Sequence, residues 1–250
     1  ADRTAFQPMN EPVQDCDALS TDPAAATWPA RLKRLHDVAR AGAPDLPLVL
    51  SGACWGGAWA LSFLDPAAIG DDNVLWSFHS YDPFTYSHQG ADWTGSILRF
   101  FAGIPYPPSS LTDDAAVALV EAAAARARAS GLPLAREASP AALSEMLQIY
   151  RDEGDGIVRQ EMDRAAAWAD AHGVPRNRLI HDEFGAVWVD AEGREFDAAG
   201  HLHYLSDKIA VAAELGFGWA LWDWRGSMRF GQADYRLDAR VCAVAGWAPC

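Results

Sequence analysis

No apolar run in this sequence is long enough to span a bilayer, and no charged-then-apolar leader stands at its start. Positive charge is scarce: Lys and Arg number 20 against 34 Asp and Glu, a formal net charge of -14. That deficit argues against nucleic acid and against an anionic membrane as partner, because both need basic patches. Cysteine is sparse as well. Cys16, Cys54, Cys242 and Cys250 allow three full pairings and show no metal-ligand spacing. Cys242 and Cys250 are placed to close a small terminal loop in an oxidising compartment, whereas Cys54, in an apolar segment, is expected to be a buried free thiol. Repeats, low-complexity tracts and linkers are also lacking, so residues 1–250 are expected to form a single domain. Ala1-Asp2-Arg3 is the kind of start that follows a processing site or a cut in a longer chain.

Apolar residues, by contrast, make up half of the chain, enough for a buried core. Eleven of the residues are Trp, which fill cores but also provide flat platforms for the apolar faces of sugar rings. Two short stretches organise the rest: Phe6-Gln7-Pro8-Met9-Asn10-Glu11-Pro12 and Ile180-His181-Asp182-Glu183-Phe184-Gly185. Each is an apolar run that reaches a glutamate and is then broken by Pro or Gly, which reads as a carboxylate presented to a cleft at the lip of a strand. Two such carboxylates suit glycosidic-bond chemistry, in which one donates a proton and the other attacks.

Around them, strands are expected at residues 3–10, 46–50, 73–79, 178–184 and 217–222. A helix is expected from Trp28 to Ala41, capped by Thr27, with Leu32, Leu35, Val38 and Ala39 on its inner face. A shorter helical pattern covers Gly56 to Leu64. Residues 113–172 read as three helices, starting after Thr112, at Ser139-Pro140 and near Ile157. Further helices are expected from Ala198 to Leu215 and from Leu237 to Val244. The long loop from Phe84 to Pro108, rich in aromatic residues, Gly and Pro, reads as functional. Strands alternating with helices imply a parallel sheet with helices outside, and the candidate site residues all fall at C-terminal strand ends, where (β/α)8 barrels place active sites. Trp76, inside a strand, is expected in the core. His201 and His203, two apart on a helix, should face different ways and not form a metal pair.

Four segments taken in order carry a resemblance: Met9-Asn10-Glu11-Pro12; Ser77-Phe78-His79-Ser80-Tyr81-Asp82-Pro83-Phe84 with Ser87-His88-Gln89-Gly90-Ala91-Asp92-Trp93; Asp182-Glu183-Phe184-Gly185; and Ala220-Leu221-Trp222-Asp223-Trp224. They resemble the fourth-, sixth-, seventh- and eighth-strand motifs of glycoside hydrolase family 5, the cellulase family of retaining enzymes built on a TIM barrel. The resemblance implies an α/β fold in which the first three strand–helix units are missing, leaving a partial barrel of strands four to eight. It implies that Glu11 is the general acid/base, Glu183 the nucleophile and Asn10 the partner of the sugar 2-hydroxyl. His79 and Tyr81 would hold the carboxylates and the sugar, with the Tyr81 hydroxyl near Glu183. Trp222 would stack under the sugar. Trp55, His88 and Gln89 are further candidates for substrate contact.

The expected activity is hydrolysis of a β-glucan or related polysaccharide, foremost as an endo-β-1,4-glucanase. A β-mannanase or β-1,3-glucanase is the nearest rival, and a non-catalytic glycan-binding remnant the alternative from another class. No metal or organic cofactor is expected, and the protein is expected to be a secreted or periplasmic monomer. One departure stands beside the nucleophile. The family's motif usually has Gly where this chain has Asp182, and strand alternation predicts that Asp182 faces away from Glu183.

Overall fold

A computed structural model of the chain describes residues 4–21, 26–190, 194–232, 234, 236–248 and 250. Arg3, the first residue of the expected opening strand, lies outside them. The strands are β1 (Leu48–Ser51), β2 (Val74–His79), β3 (Leu179–Phe184) and β4 (Gly218–Leu221), in the sheet order β1-β2-β3-β4. The β1–β2 and β2–β3 pairs are parallel. Among the described residues of the strand expected at residues 3–10, only Phe6 pairs. It forms a parallel bridge to Leu48, with its amide donating to Pro47 O and its carbonyl accepting from Val49 N, each at 2.9 Å. Pro8 has no N–H to give a ladder, and the chain leaves the sheet there.

The helices are α1 (Cys16–Thr21), α2 (Trp28–Gly42), α3 (Pro66–Ile69), α4 (Phe84–Ser87), α5 (Asp113–Ser130), α6 (Pro140–Glu153), α7 (Ile157–Ala171), α8 (Ala198–Leu215) and α9 (Ala239–Ala245). Three helices form in the Ala-rich region, and the first two begin where their caps say. The hydroxyls of Thr112 and Ser139 accept from Ala115 N and Ala142 N, and Gly131 ends α5 in the left-handed region at φ 65°. On α2 the inner face is Trp28, Leu32 and His36, one residue per turn, while Val38 is exposed, contrary to expectation. The ring of Trp28 sets this rotation: it is buried and donates from Nε1 to Ser51 O at 2.9 Å. The Thr27 side chain makes no cap. Asp15 takes that role, accepting from Thr27 N and Trp28 N. The pattern at Gly56–Leu64 forms two 3-10 turns, Cys54–Gly56 and Ala58–Phe63.

Compact packing divides the chain into two units, each drawn from three stretches. The first comprises residues 1–80, 160–183 and 211–220, and the second comprises 81–159, 184–210 and 221–250. In the first unit, β1 and β2 are largely buried on both faces, as strands of a parallel sheet covered by helices are. Phe78 stacks on His181 at 4.8 Å and meets Phe217 edge-on, and Trp76 packs against Trp168, so Trp76 is core as expected. In the second unit, four tyrosines from successive segments pack ring to ring. Tyr86, Tyr106 and Tyr150 send their hydroxyls to Asp197, Asp207 and Pro105 O, which satisfies three of the polar ends, while the buried hydroxyl of the fourth, Tyr204, has no hydrogen-bond partner among the described residues. His201 is buried and stacked on Trp188 while His203 is half-exposed beside Asp207, so the two point apart.

Candidate active site

The first unit brings Glu11, His79, Asp182 and Glu183 together. Glu11 stands on the segment that follows the Phe6 bridge, and three ties hold that segment to the turn after β1. Trp55 N donates to Pro12 O at 3.1 Å, Cys54 N donates to Gln14 O at 3.3 Å, and Cys16 and Cys54 form a disulfide. Cys54 is therefore bridged rather than a free thiol, because the turn after β1 brings it against Cys16. Cys242 and Cys250 are joined as their spacing suggested. Among the described residues, the positive-φ positions other than glycine are Glu11 (42°), Asp15 (68°), Cys54 (50°) and Trp55 (63°). All lie in these two tied segments. A side chain in the left-handed region costs about 1–2 kcal/mol, so the backbone conformation that presents Glu11 is held by its surroundings. Asn10 is exposed beside Glu11, and Trp55 stands 57% exposed at the same turn, which makes it a surface platform and not core.

His79 ends β2 and is buried against the Gly56–Gly57 backbone, where Gly57 forms a bridge to it. Its Nδ1 lies 2.8 Å from Glu11 Oε1 and 3.7 Å from Glu183 Oε2, and its Nε2 lies 3.3 Å from Asp182 Oδ1. The last contact pairs charges without the alignment of a hydrogen bond. The other oxygen of Asp182 accepts from Gln7 Nε2 at 3.5 Å, and Gln7 also donates to Ser77 Oγ.

Asp182 does not face away from Glu183 as strand alternation predicts. The register of β2 and β3 runs Phe78 to His181 and then His79 to Glu183, so Asp182 is the extra residue of a β-bulge. A bulge breaks the two-residue period, and both carboxylates reach the same imidazole. Burial by itself would push the pKa of His79 down. The carboxylates of Asp182 and Glu11, and then the charge of Glu183, outweigh it and push His79 up to about 10. At neutral pH the ring is therefore an imidazolium with a proton on each nitrogen, Nδ1 donating to Glu11.

One carboxylate oxygen of Glu11, one of Glu183 and a ring nitrogen of His79 lie within 4.8 Å of one another. Among the described residues this is also the cluster spaced to hold a metal ion. An imidazolium has no lone pair to offer a metal, so the donor set as it stands is poor for one. The arrangement suits two carboxyl groups acting at one centre, with a cation between them.

The second unit holds the remaining candidates. The Tyr81 ring packs against Ala91, Val187 and Met228 and meets His88 edge-on at 5.0 Å. Trp222, half-exposed at the end of β4, has its amide bonded to Phe184 O at 2.9 Å and a cis peptide to Asp223. A Cβ on Gly185 would collide with the carbonyl oxygen of Trp222, so only glycine fits after Glu183-Phe184.

His88 and Gln89 serve the loop instead of facing a ligand. His88 is buried, stacked on Phe84 at 3.9 Å and bonded to Ser87 Oγ, and burial pushes its pKa down to about 4, so it is neutral. Gln89 is fully buried and clasps Ile104, accepting from its amide at 2.7 Å and donating to its carbonyl. Polar residues beside a site in sequence look alike whether they brace a loop or touch a substrate; only burial separates them. Sequence reasoning missed Gln7 and the engagement of Asp182, because neither a bulge nor a cross-strand partner leaves a mark on one strand's pattern.

The model of the cellulase family, glycosyl hydrolase family 5, matches residues 1–227 of this chain. Endoglucanase 3 of Fibrobacter succinogenes is 23% identical over 225 residues, which are 89% of this chain and 30% of that protein. A crystal structure of a hyperthermophilic endo-β-1,4-glucanase in complex with substrate superposes with a TM-score of 0.65 at 18% identity, covering 99% of this chain and 60% of the other. A Thermotoga maritima enzyme in complex with mannotriose gives a TM-score of 0.55 at 17% identity, covering 87% of this chain and 55% of the other. The chain thus shares the fold of these enzymes and spans about a third to three fifths of their length.

Proposed function

Given that the chain belongs to glycosyl hydrolase family 5, the cellulase family, we propose that it hydrolyses β-glycosidic bonds of a polysaccharide with retention of configuration, foremost as an endo-β-1,4-glucanase. The observation that carries this reading is the approach of Glu11, Glu183 and His79 to within 4.8 Å. Carboxyl groups about 5–5.5 Å apart fit a retaining enzyme, whereas an inverting one needs about 6.5–9.5 Å to admit a water. In this reading the Phe6 bridge and β1–β4 correspond to strands four to eight of the family's (β/α)8 barrel.

Glu183 attacks the anomeric carbon while Glu11 gives its proton to the departing glycosidic oxygen. Glu11 then takes a proton from the water that cleaves the glycosyl ester on Glu183. The two half-reactions ask opposite things of Glu11. It donates a proton first and accepts one second, with the His79 imidazolium 2.8 Å away. Asp182, through Nε2, keeps that imidazolium charged and turned toward Glu11. Asn10 is assigned to the sugar 2-hydroxyl, Tyr81 to the reacting centre, and Trp222 and Trp55 to stacking under sugar rings. The two disulfides fit a secreted or periplasmic protein.

The endoglucanase relatives favour β-1,4-glucan, and the mannotriose complex keeps β-mannan as the alternative substrate. The test is sugar release from a panel of β-glucans and mannans, with the first-formed anomer read by proton NMR. The β-anomer should appear first, and Glu183→Gln should abolish release. An α-anomer appearing first, or equal release by the variant, would overturn the assignment.

A further inference from the structure

On a chain of net charge -14, four arginines converge on one cavity of about 530 Å³ in the second unit: Arg99, Arg126, Arg225 and Arg229. They face two aspartates there, Asp92 and Asp190, and Asp190 is already bonded to Arg194 through both its carboxylate oxygens. Arg126, on α5, is fixed by a 2.6 Å hydrogen bond from Nε to Phe100 O, and no ion pair to a described residue compensates its partial burial. Arg99, on the 3-10 turn Ile97–Phe100, is half-buried, and its guanidinium makes no hydrogen bond or ion pair with any described residue. Arg225 and Arg229 follow Trp222 by three and seven residues. Trp93, 57% exposed, stands on the cavity wall.

The Arg99 and Arg126 guanidiniums, with no carboxylate among the described residues, are forks prepared for a planar anion, since two parallel N–H donors match the two oxygens of a carboxylate. A half-exposed indole beside them offers a flat face to a sugar ring. The volume falls within the range of small-molecule sites. We propose that this cavity binds the carboxylate of an acidic sugar, a hexuronate carried by the glycan, with Arg99 and Arg126 on the carboxylate and Trp93 against the ring. The ligand class draws on the glycan reading above, but binding is measured without hydrolysis, so either can fail alone.

The test is calorimetric titration of the full chain with methyl β-glucuronide, methyl β-glucoside and inorganic phosphate. The glucuronide should bind at least about tenfold tighter than the glucoside, as one charge-assisted pair implies, and should weaken with salt. Arg99→Gln should lose that advantage while leaving the melting temperature and the release of sugar from neutral β-glucan unchanged. Because the Arg99 side chain bonds to no described residue and its backbone amide bond to Ser96 O survives the substitution, its loss does not threaten folding. Trp93→Ala should weaken the glucuronide and leave phosphate as it was. Equal affinity for glucoside and glucuronide, or full glucuronide affinity in Arg99→Gln, would overturn the proposal. So would phosphate binding as tightly as glucuronide with Trp93→Ala without effect, the mark of a plain anion site.

Discussion

His79 stands among three carboxylates, and its charge decides what Glu11 and Glu183 meet. Asp182 is the carboxylate that can be removed without touching either glutamate. In Asp182→Asn the pKa of His79 should fall from about 10 toward its ordinary 6.5, because the strongest influence raising it is gone. The imidazolium is present below that pKa and lost above it. The alkaline limb of the kcat/KM profile should therefore move to lower pH, with activity near pH 5 changed little. An alkaline limb that stays in place would show that Asp182 does not act through His79. Replacing Glu11 by Gln should cost about 10²–10⁴-fold in rate, the range for a lost general acid/base. Glu11, His79 and Glu183 were legible as residues from their motifs. What was hidden was how they meet: the bulge at Asp182 depends on the register with β2, and alternation counts only one strand.

At the scale of elements, the legible parts carried their own punctuation. The first two helices of residues 113–172 begin at Thr112 and Ser139-Pro140 and stop at glycines, and they form where those signals stand. The turn after β1 and the segment from Glu11 to Cys16 had no such marks. Besides Gly56, their left-handed residues are Glu, Asp, Cys and Trp, residue types that do not announce such a conformation in a sequence. Their geometry depends on tertiary ties, above all Cys16–Cys54. Cys16→Ser with Cys54→Ser should lower stability by about 2–4 kcal/mol, a common cost of losing a disulfide. It should also speed amide hydrogen exchange across residues 11–16 and lower kcat while the protein is still folded. Unchanged exchange in that segment would show that the backbone bonds to Pro12 and Gln14 hold Glu11 without the bridge.

At the scale of the whole molecule, the negative charge acts over distances that the arginine cavity does not reach. A polyanionic glycan should be slowed on approach even where single carboxylates are bound locally. Initial rates on carboxymethylated glucan should rise between 10 and 100 mM NaCl, as the Debye length shortens from about 30 to about 10 Å, while rates on neutral glucan stay level. A rise of equal size on both substrates would assign the effect to something other than long-range repulsion. Net charge could be read from composition alone, since it needs no coordinates. The cavity could not, because its arginines come from a turn, a helix and the segment after β4, far apart in sequence.

The bulge in β3 also bears on how such a site can change over generations. Phe78 pairs with His181 and His79 with Glu183, and Asp182 is the residue left over between them. A ladder with one residue to spare can close over its deletion, since the pairs on either side already have partners. A lineage could therefore gain or shed this third carboxylate by the insertion or loss of a single codon, with the glutamate still opposite the histidine. Substitution would have to pass through intermediates that keep the bulge and lose only its charge.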